Sequence, residues 1–273
     1  MNIEKVIKNN VERFNGFADD YDKFRPVPPS IIVETLINYL DKPPSLVADL
    51  GCGTGLSTYI WKDRSDKVIG IDPNRDMLNK AKEKSHEGSN SKNVEFQLGY
   101  GNDTGLKSSS ADIITCSSSF QWMEPSTTVK EVSRVLLDEG VFAMYYHSSP
   151  TVGDWVVEKA YNDLFKTVYS ILDNGIKEEE KVKLWSRKEY IETIKASENF
   201  RFMKEILVHN KVQMNADDLI GFIFSQGALQ EVIKRNIKST DNEINKFIEV
   251  VRKRIGNKVF DGIYSYNIIL SIK

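Results

Sequence analysis

Apolar and polar positions along the chain alternate between two periods. Short apolar runs of five to seven residues fall at 45–50, 67–71, 94–98, 111–116 and 141–147, bounded by Gly, Pro, Asp or Ser. Runs of that length bounded by turn residues read as buried strands. Between them lie segments with helical spacing at 31–40, 56–62, 74–84 and 127–137, with Asp138-Glu139-Gly140 turning the last of these toward its strand. Strands alternating with helices predict a parallel sheet covered by helices, an α/β fold. Residues 1–24 also read as helical, carrying Phe14, Phe17, Tyr21 and Phe24 up to the break at Arg25-Pro26, and Ser30 is a candidate cap for the next helix. Residues 149–200 read as mostly helical and are longer than a simple connection requires, so they are expected to form an insertion over the site. A sixth strand at 201–214, two helices at 216–235 and 240–255, and an alternating last strand at 262–272 complete the pattern. The polar stretch Gly88-Ser89-Asn90-Ser91 reads as a surface loop.

The first strand leads into Val47-Ala48-Asp49-Leu50-Gly51-Cys52-Gly53-Thr54-Gly55, the most informative segment of the chain. A strand, a glycine turn and a helix start form a layout in which backbone N–H groups face a ligand. A dinucleotide fingerprint needs a glycine at the sixth place of the turn, where this chain has Leu56. Asp49 at the strand end repels a pyrophosphate but suits a ligand bearing an ammonium or sulfonium charge. S-adenosylmethionine (SAM) bears both. Asp72 ends the second strand, where an acid accepts hydrogen bonds from ribose hydroxyls, and that assignment fits NAD and SAM alike. Met77, in the first turn of the following helix, lies either against an adenine face or in the core.

These residues resemble the class I SAM-dependent methyltransferases, most closely the ubiquinone/menaquinone-biosynthesis and trans-aconitate methyltransferase type. The resemblance is specific at VADLGCGTG and at GIDPNRDML, looser at ADIITCSSSFQWME and at residues 21–26, and covers roughly residues 14–147. It implies a Rossmann-like, seven-stranded, mostly parallel sheet with helices on both faces, whose last strand runs antiparallel and inserts between earlier ones. One methyltransferase domain is expected over 1–273: lid helices in 1–40, a SAM-binding core in 41–148, the helical insertion in 149–200, and the rest of the sheet with two cap helices in 201–273. The family's frequent acid after the third strand is replaced here by Tyr100, as often in trans-aconitate-type members. Adenine is then expected on the Gly101 and Asn102 backbone and on the Asn102 or Tyr100 side chains.

Ligands in open α/β sheets bind beyond the carboxyl ends of the strands, which groups Asp49, Gly51, Gly53, Asp72, Gly101, Asn102 and Ser117 as cofactor candidates. Phe120 and Trp122 either shape an acceptor pocket or pack against neighbours. Tyr21 and Arg25 are candidates for the SAM carboxylate, since a guanidinium can hold a carboxylate through two parallel bonds; a surface ion pair is the alternative for Arg25. His147, at the end of the fifth strand, is either a general base or a structural histidine. His86 reads as solvated, and His209 has no assigned role. Ser225 and Gln226 resemble a segment near the acceptor pocket, or mark a helix kink at Gly227. Enzymes that methylate nucleobase amines usually carry Asn/Asp-Pro-Pro-aromatic after the fourth strand; Ser117-Ser118-Ser119-Phe120 stands there instead.

Composition narrows the partners. A net charge of −2 over 273 residues gives no drive toward nucleic acid or an anionic membrane. No apolar stretch is long enough to span a bilayer, and the polar segment from Met1 to Glu12 lacks a secretion-signal core, so a cytoplasmic protein is expected. Cys52 and Cys116, with no histidine cluster nearby, predict buried thiols and no metal. The expected activity is methyl transfer from SAM to a small molecule, with S-adenosyl-L-homocysteine as the other product, by a monomer or homodimer. A SAM-binding sensor or partner protein without turnover is the alternative.

Overall fold

The structure, a computed structural model, describes residues 3–86 and 92–273. Its elements run, in chain order, α1 (Ile3–Glu12), α2 (Ala18–Phe24), α3 (Ser30–Leu40), β1 (Leu46–Leu50), β2 (Lys67–Asp72), α4 (Arg75–His86), β3 (Val94–Leu98), β4 (Ala111–Ser117), α5 (Pro125–Val135), β5 (Leu136–His147), α6 (Trp155–Asn174), α7 (Arg187–Ala196), β6 (Phe202–Met214), α8 (Ala216–Phe224), α9 (Gly227–Lys234), α10 (Asp241–Ile255) and β7 (Phe260–Ile272). The loop expected at 88–91 and the His86 side chain lie outside the described residues.

The seven strands form one sheet in the order β3-β2-β1-β4-β5-β7-β6. β1 pairs in parallel with β2 and β4, β2 with β3, and β4 with β5; β7 runs antiparallel to β5, with Tyr145 opposite Ile268 and His147 opposite Tyr266. The seven-stranded, mostly parallel, Rossmann-like architecture and the inserted antiparallel last strand are as expected. Strands buried on both faces read as near-continuous apolar runs, and β4 is buried from Ala111 through Cys116.

The chain divides into two compact units. One comprises residues 27–147, 183–208 and 266–273. Its core joins Leu50, Ile71, Ile114, Phe142 and Ile269 of the strands to Val129 and Val132 of α5 and Tyr190 and Ile194 of α7. The other comprises residues 1–26, 148–182 and 209–265. There α6 packs on α9 and α10, and α2 packs on α8 so closely that a Cβ on Gly221 would lie 2.3 Å from the Phe24 ring.

Local structure departs from expectation in four places. Residues 56–62 form only a 3-10 turn, Tyr59–Trp61, and the hydroxyls of Ser57 and Thr58 point inward to Tyr145 Oη and Asp49 Oδ2. Ser30 is the first residue of α3 rather than its cap; Pro29 precedes it, with no side-chain cap bond. The helix over 1–24 is interrupted between α1 and α2, where Gly16 takes φ +79°. The turn at 138–140 is an irregularity inside β5, where pairing jumps from Ala111–Leu136 to Ile113–Val141. The kink expected at Gly227 is the break between α8 and α9.

Candidate functional site

All the central site candidates lie in the unit that holds β1 to β5. β1 ends at Asp49-Leu50, and the chain turns through Gly51, Gly53 and Gly55 at φ +66°, +55° and +81°. Positive φ costs most residues but not glycine. The turn is pinned from below, since Gly51 N and Cys52 N both donate to Ile71 O at 2.7 and 3.1 Å. Ser119 Oγ donates to Leu50 O at 2.6 Å, and a Cβ on Gly51 would lie 2.5 Å from Ser119 Cβ and 2.9 Å from Met123 Cε.

Asp49 is completely buried. Its Oδ1 accepts from Thr115 Oγ1 and its Oδ2 from Thr58 Oγ1, both at 2.8 Å. Burial pushes its carboxyl up to about 6, against the hydroxyls of Thr58, Thr115 and Ser57, which favour the ionised form; the charge of Asp72 adds to the upward push. Asp72, at the end of β2, is also buried, accepting from Gly53 N through Oδ2 and from Asn74 N through Oδ1, both at 2.8 Å. Burial raises it to about 6 as well, opposed by the N–H groups of Asn74 and Gly53. Asn74 Oδ1 accepts from Met77 N at 3.1 Å, capping α4.

These features fit SAM. Two buried carboxylates, held by neutral donors and raised toward neutrality, gain from a cation. Each carboxylate has about four acceptor positions, so Asp72 keeps capacity for a ribose diol beside its two N–H partners. Thr54, between two turn glycines, buries a hydroxyl with no hydrogen-bond partner, a polar atom of the kind that ligands satisfy.

At the end of β3, Tyr100 and Asp103 exchange backbone N–H···O bonds of 3.1 Å each, and this closes a tight turn over Gly101 and Asn102. Asn102 Nδ2 donates to Thr127 Oγ1 at 3.3 Å. A Cβ on Gly101 would lie 2.5 Å from Met123 Sδ, so one methionine touches both glycine turns. Ser117, half-buried, ends β4. Trp122 is half-buried in the 3-10 turn Phe120–Trp122. Met77 and Phe120 are buried; the Phe120 ring lies 5.4 Å from that of Tyr190 and 5.8 Å from that of Phe142, in the core. His147 is half-buried at the end of β5, its ring 5.8 Å from the Tyr266 ring.

Tyr21, Arg25 and Ser225 belong to the other unit. There Arg25 Nη2 donates to Gln226 Oε1 at 3.2 Å, and the guanidinium lies 5.1 Å from the Tyr21 ring centre and 5.6 Å from that of Phe222. Ser225 Oγ donates to Phe222 O at 2.7 Å, within its own helix end. His209 meets Ser265 Oγ at 2.9 Å across β6 and β7.

Sequence reasoning missed Ser57, Thr58, Thr115, Met123 and Tyr145 around the glycine turn. Only Ser57 and Thr58 carried a signal, as polar residues opening a segment with helical spacing. Among the described residues, no group of three or more His, Cys, Asp or Glu side chains is placed to hold a metal, and no helix is long and apolar enough to cross a membrane.

Residues 48–144 match a family described as "Methyltransferase domain". The probable S-adenosylmethionine-dependent methyltransferase CRG1 of Saccharomyces cerevisiae is 27% identical over 151 residues, 55% of this chain and 51% of that protein. The ubiquinone/menaquinone biosynthesis C-methyltransferase UbiE of Campylobacter jejuni is 29% identical over 170 residues, 56% of this chain and 68% of its own. The chain thus spans about half the length of the yeast relative. Among solved structures, YcgJ of Bacillus subtilis shares the fold with a TM-score of 0.54 at 20% identity, over 88% of this chain and 98% of that one. A protein of Anaeromyxobacter dehalogenans, provisionally assigned as a type II methyltransferase, does so with a TM-score of 0.64 at 17% identity, over 91% and 97%. Asp49, the glycine turn, Asp72 and the Ser117–Trp122 stretch all fall inside the matched residues, so the candidates of this unit lie in the segment that is similar to a methyltransferase domain.

Proposed function

We propose that the protein transfers a methyl group from SAM to a small organic acceptor by direct displacement. The observation that carries this reading is the pair of buried carboxylates, Asp49 and Asp72, flanking a glycine turn and supported by neutral donors. Asp49 supplies negative charge for the cationic methionine end. Asp72, aimed by the Gly53 and Asn74 N–H groups, accepts from the ribose hydroxyls. Gly51 and Gly53 leave the backbone bare for close approach, Gly101 and Asn102 offer backbone and amide groups to adenine, and Ser117 borders the methionine part. The burial of Met77 and Phe120 supports packing for both.

The donor supplies a methyl group already activated by its bond to a positively charged sulfur. The protein's contribution is alignment, which can lower a barrier by roughly 7–11 kcal/mol. Trp122 and His147 are the acceptor-side residues of this reading: Trp122 as an apolar wall, and His147 as a base when the acceptor arrives with a proton.

Incubation with methyl-labelled SAM and a metabolite extract, followed by mass spectrometry, tests the proposal. A labelled small-molecule product, lost in Asp49→Asn, is the expected result. Saturable SAM binding with no labelled product from any extract would instead identify a binding protein without turnover.

A further inference from the structure

The loop that carries the proposed adenine turn is tied down by a polar stripe of α5. Val129, Val132 and Val135 of that helix belong to the core. Thr127, Glu131 and Arg134, at i, i+4 and i+7, line up along another face, and each bonds the loop between β3 and β4. Asn102 Nδ2 donates to Thr127 Oγ1 at 3.3 Å. Thr104 donates twice to Glu131 Oε1, from its backbone N at 2.9 Å and from its hydroxyl at 2.6 Å. Arg134 Nη2 donates to Leu106 O at 2.8 Å, and Nη1 to Ser108 Oγ at 3.0 Å. The loop then runs onto the last carbonyls of the helix, with Ser109 N donating to Arg134 O and Ser110 N to Val135 O.

Glu131 is the centre of this arrangement. Thr104 and Glu131 are both buried. Thr104 directly follows Asp103, whose exchange of backbone bonds with Tyr100 closes the turn over Gly101 and Asn102. The Thr104 carbonyl accepts from Gln97 Nε2 of β3 at 2.7 Å, so side chains of two separate elements hold both of its backbone groups. Arg134 grips Glu131 through two bonds of 2.8 Å, Nε to Oε2 and Nη2 to Oε1. These bonds, with those from Thr104, hold the Glu131 carboxyl down to about 2 against the effect of burial, so it accepts as an anion at every working pH.

We propose that Glu131 is a positioning residue for donor binding: through Thr104 it fixes the 100–103 turn, which then presents Gly101 and Asn102 to the edge of the adenine ring without reordering. The assignment rests on the reading of this turn as the adenine site. A side chain can swing to meet a ligand, but backbone groups move only with their loop, so recognition by backbone needs a supported loop. Adenine carries an amino donor beside a ring-nitrogen acceptor, and hypoxanthine reverses both. A site built to bond one pattern rejects the other, and that rejection weakens when the turn is no longer held.

Calorimetric titration of the full chain with S-adenosylhomocysteine and with its deaminated form, S-inosylhomocysteine, tests the proposal. The wild-type protein should favour the adenine form. Glu131→Ala should weaken the adenine form roughly tenfold, the upper range for one hydrogen bond, and leave the inosine form nearly unchanged, so that the preference falls by the same factor. Glu131→Gln keeps an oxygen where Oε1 stands, and with it both Thr104 bonds; it should lower the melting temperature yet restore the preference. Thr104→Val removes the hydroxyl alone, should cost the preference roughly threefold, and serves if Glu131→Ala does not fold. A Glu131→Ala protein that loses affinity for both forms equally, or for neither, overturns the positioning role, as does a Glu131→Gln protein as impaired as the alanine variant. Wild-type protein with no preference for the adenine form overturns the reading of the turn, and failure to bind either form overturns the donor itself; both would show before any variant is made.

Discussion

The two units both bury charge, and they do so in opposite ways. In the unit formed by residues 1–26, 148–182 and 209–265, Arg13 Nη1 lies 3.4 Å from Glu231 Oε2, with 5% and 10% of the two side chains exposed. Burial pushes the Arg13 guanidinium down, and the charge of Glu231 holds it up. Arg235 adds a second contact to Glu231 and bonds Glu180 at 2.7 Å. A cavity of about 340 Å³ beside this pair is lined by Lys5, Glu12, Glu179 and Lys234 as well, so acids and bases meet there in equal number. In the other unit, Asp49 and Asp72 repel each other and are answered by hydroxyls and N–H groups. A buried pair of opposite charges balances its own charge. Two buried carboxylates with neutral partners are a standing attraction for a cation, and that difference sets the Arg13–Glu231 cluster apart from the proposed ligand site.

Removing the Asp49 charge should give the largest effect. Asp49→Asn keeps the shape and removes the proposed partner of the sulfonium. SAM affinity should fall on the order of a hundredfold, as for truncation of one member of a buried charge pair. The ligand-free protein should become more stable at pH 7. A carboxyl raised from 3.8 to about 6 carries a cost of about 3 kcal/mol when ionised, offset in part because an amide offers one acceptor oxygen where the carboxylate offered two. Opposite movements of SAM affinity and melting temperature are the expected signature. Loss of both would reduce Asp49 to a structural residue.

The Arg13–Glu231 pair should behave in reverse. Glu231→Gln leaves a buried guanidinium short of its counter-charge, and breaking such a pair costs about 3–5 kcal/mol. Denaturant unfolding should report that loss, while SAM affinity per folded molecule stays at the wild-type value. A large change in affinity would mean that the contrast between the clusters is misdrawn.

Acidity sharpens the same contrast. Asp49 and Asp72 have folded values near 6, above the unfolded 3.8. Between about pH 4 and 6 the folded state therefore binds more protons than the unfolded one, and their contribution to stability is greatest below pH 4 and declines as pH rises through 6. The cationic donor favours the ionised carboxylates, so SAM affinity should rise through the same interval, with protons released on binding. Calorimetry in buffers of different ionisation heat measures that release; proton uptake would contradict it. Glu131, held down from 4.5 to about 2 first by Arg134, has the opposite sign: its contribution is full above about pH 5 and is lost progressively as pH falls from there through 2.

The extent to which the sequence announced these features follows from their range. β1, its glycine turn and β2 lie within 27 residues, and apolar runs ending in Asp49 and Asp72 suffice to place both carboxylates at strand ends. The inserted antiparallel β7 followed from family likeness, since chain order carries no information about which strands become neighbours. The hydroxyl network was illegible: Thr58 and Thr115, which donate to Asp49, come from two separate segments, and only the pairing of β1 with β4 brings Thr115 to that carboxylate.

The smallest effect compares one glycine from each unit. Gly51 and Gly16 both take positive φ, +66° and +79°. Around Gly16 a Cβ would meet nothing within 4 Å, so Gly16→Ala carries the backbone penalty alone, about 1–2 kcal/mol. Gly51→Ala carries the same penalty and also drives its Cβ onto Ser119 Cβ, 2.5 Å away. Ser119 cannot swing aside without giving up its bond to Leu50 O, and the added methyl occupies backbone that the donor is proposed to approach. Gly51→Ala should therefore be the less stable of the two and should alone lose SAM affinity. Equal melting temperatures with SAM binding intact in both would show that the turn at 51–55 serves the chain's path and not a ligand.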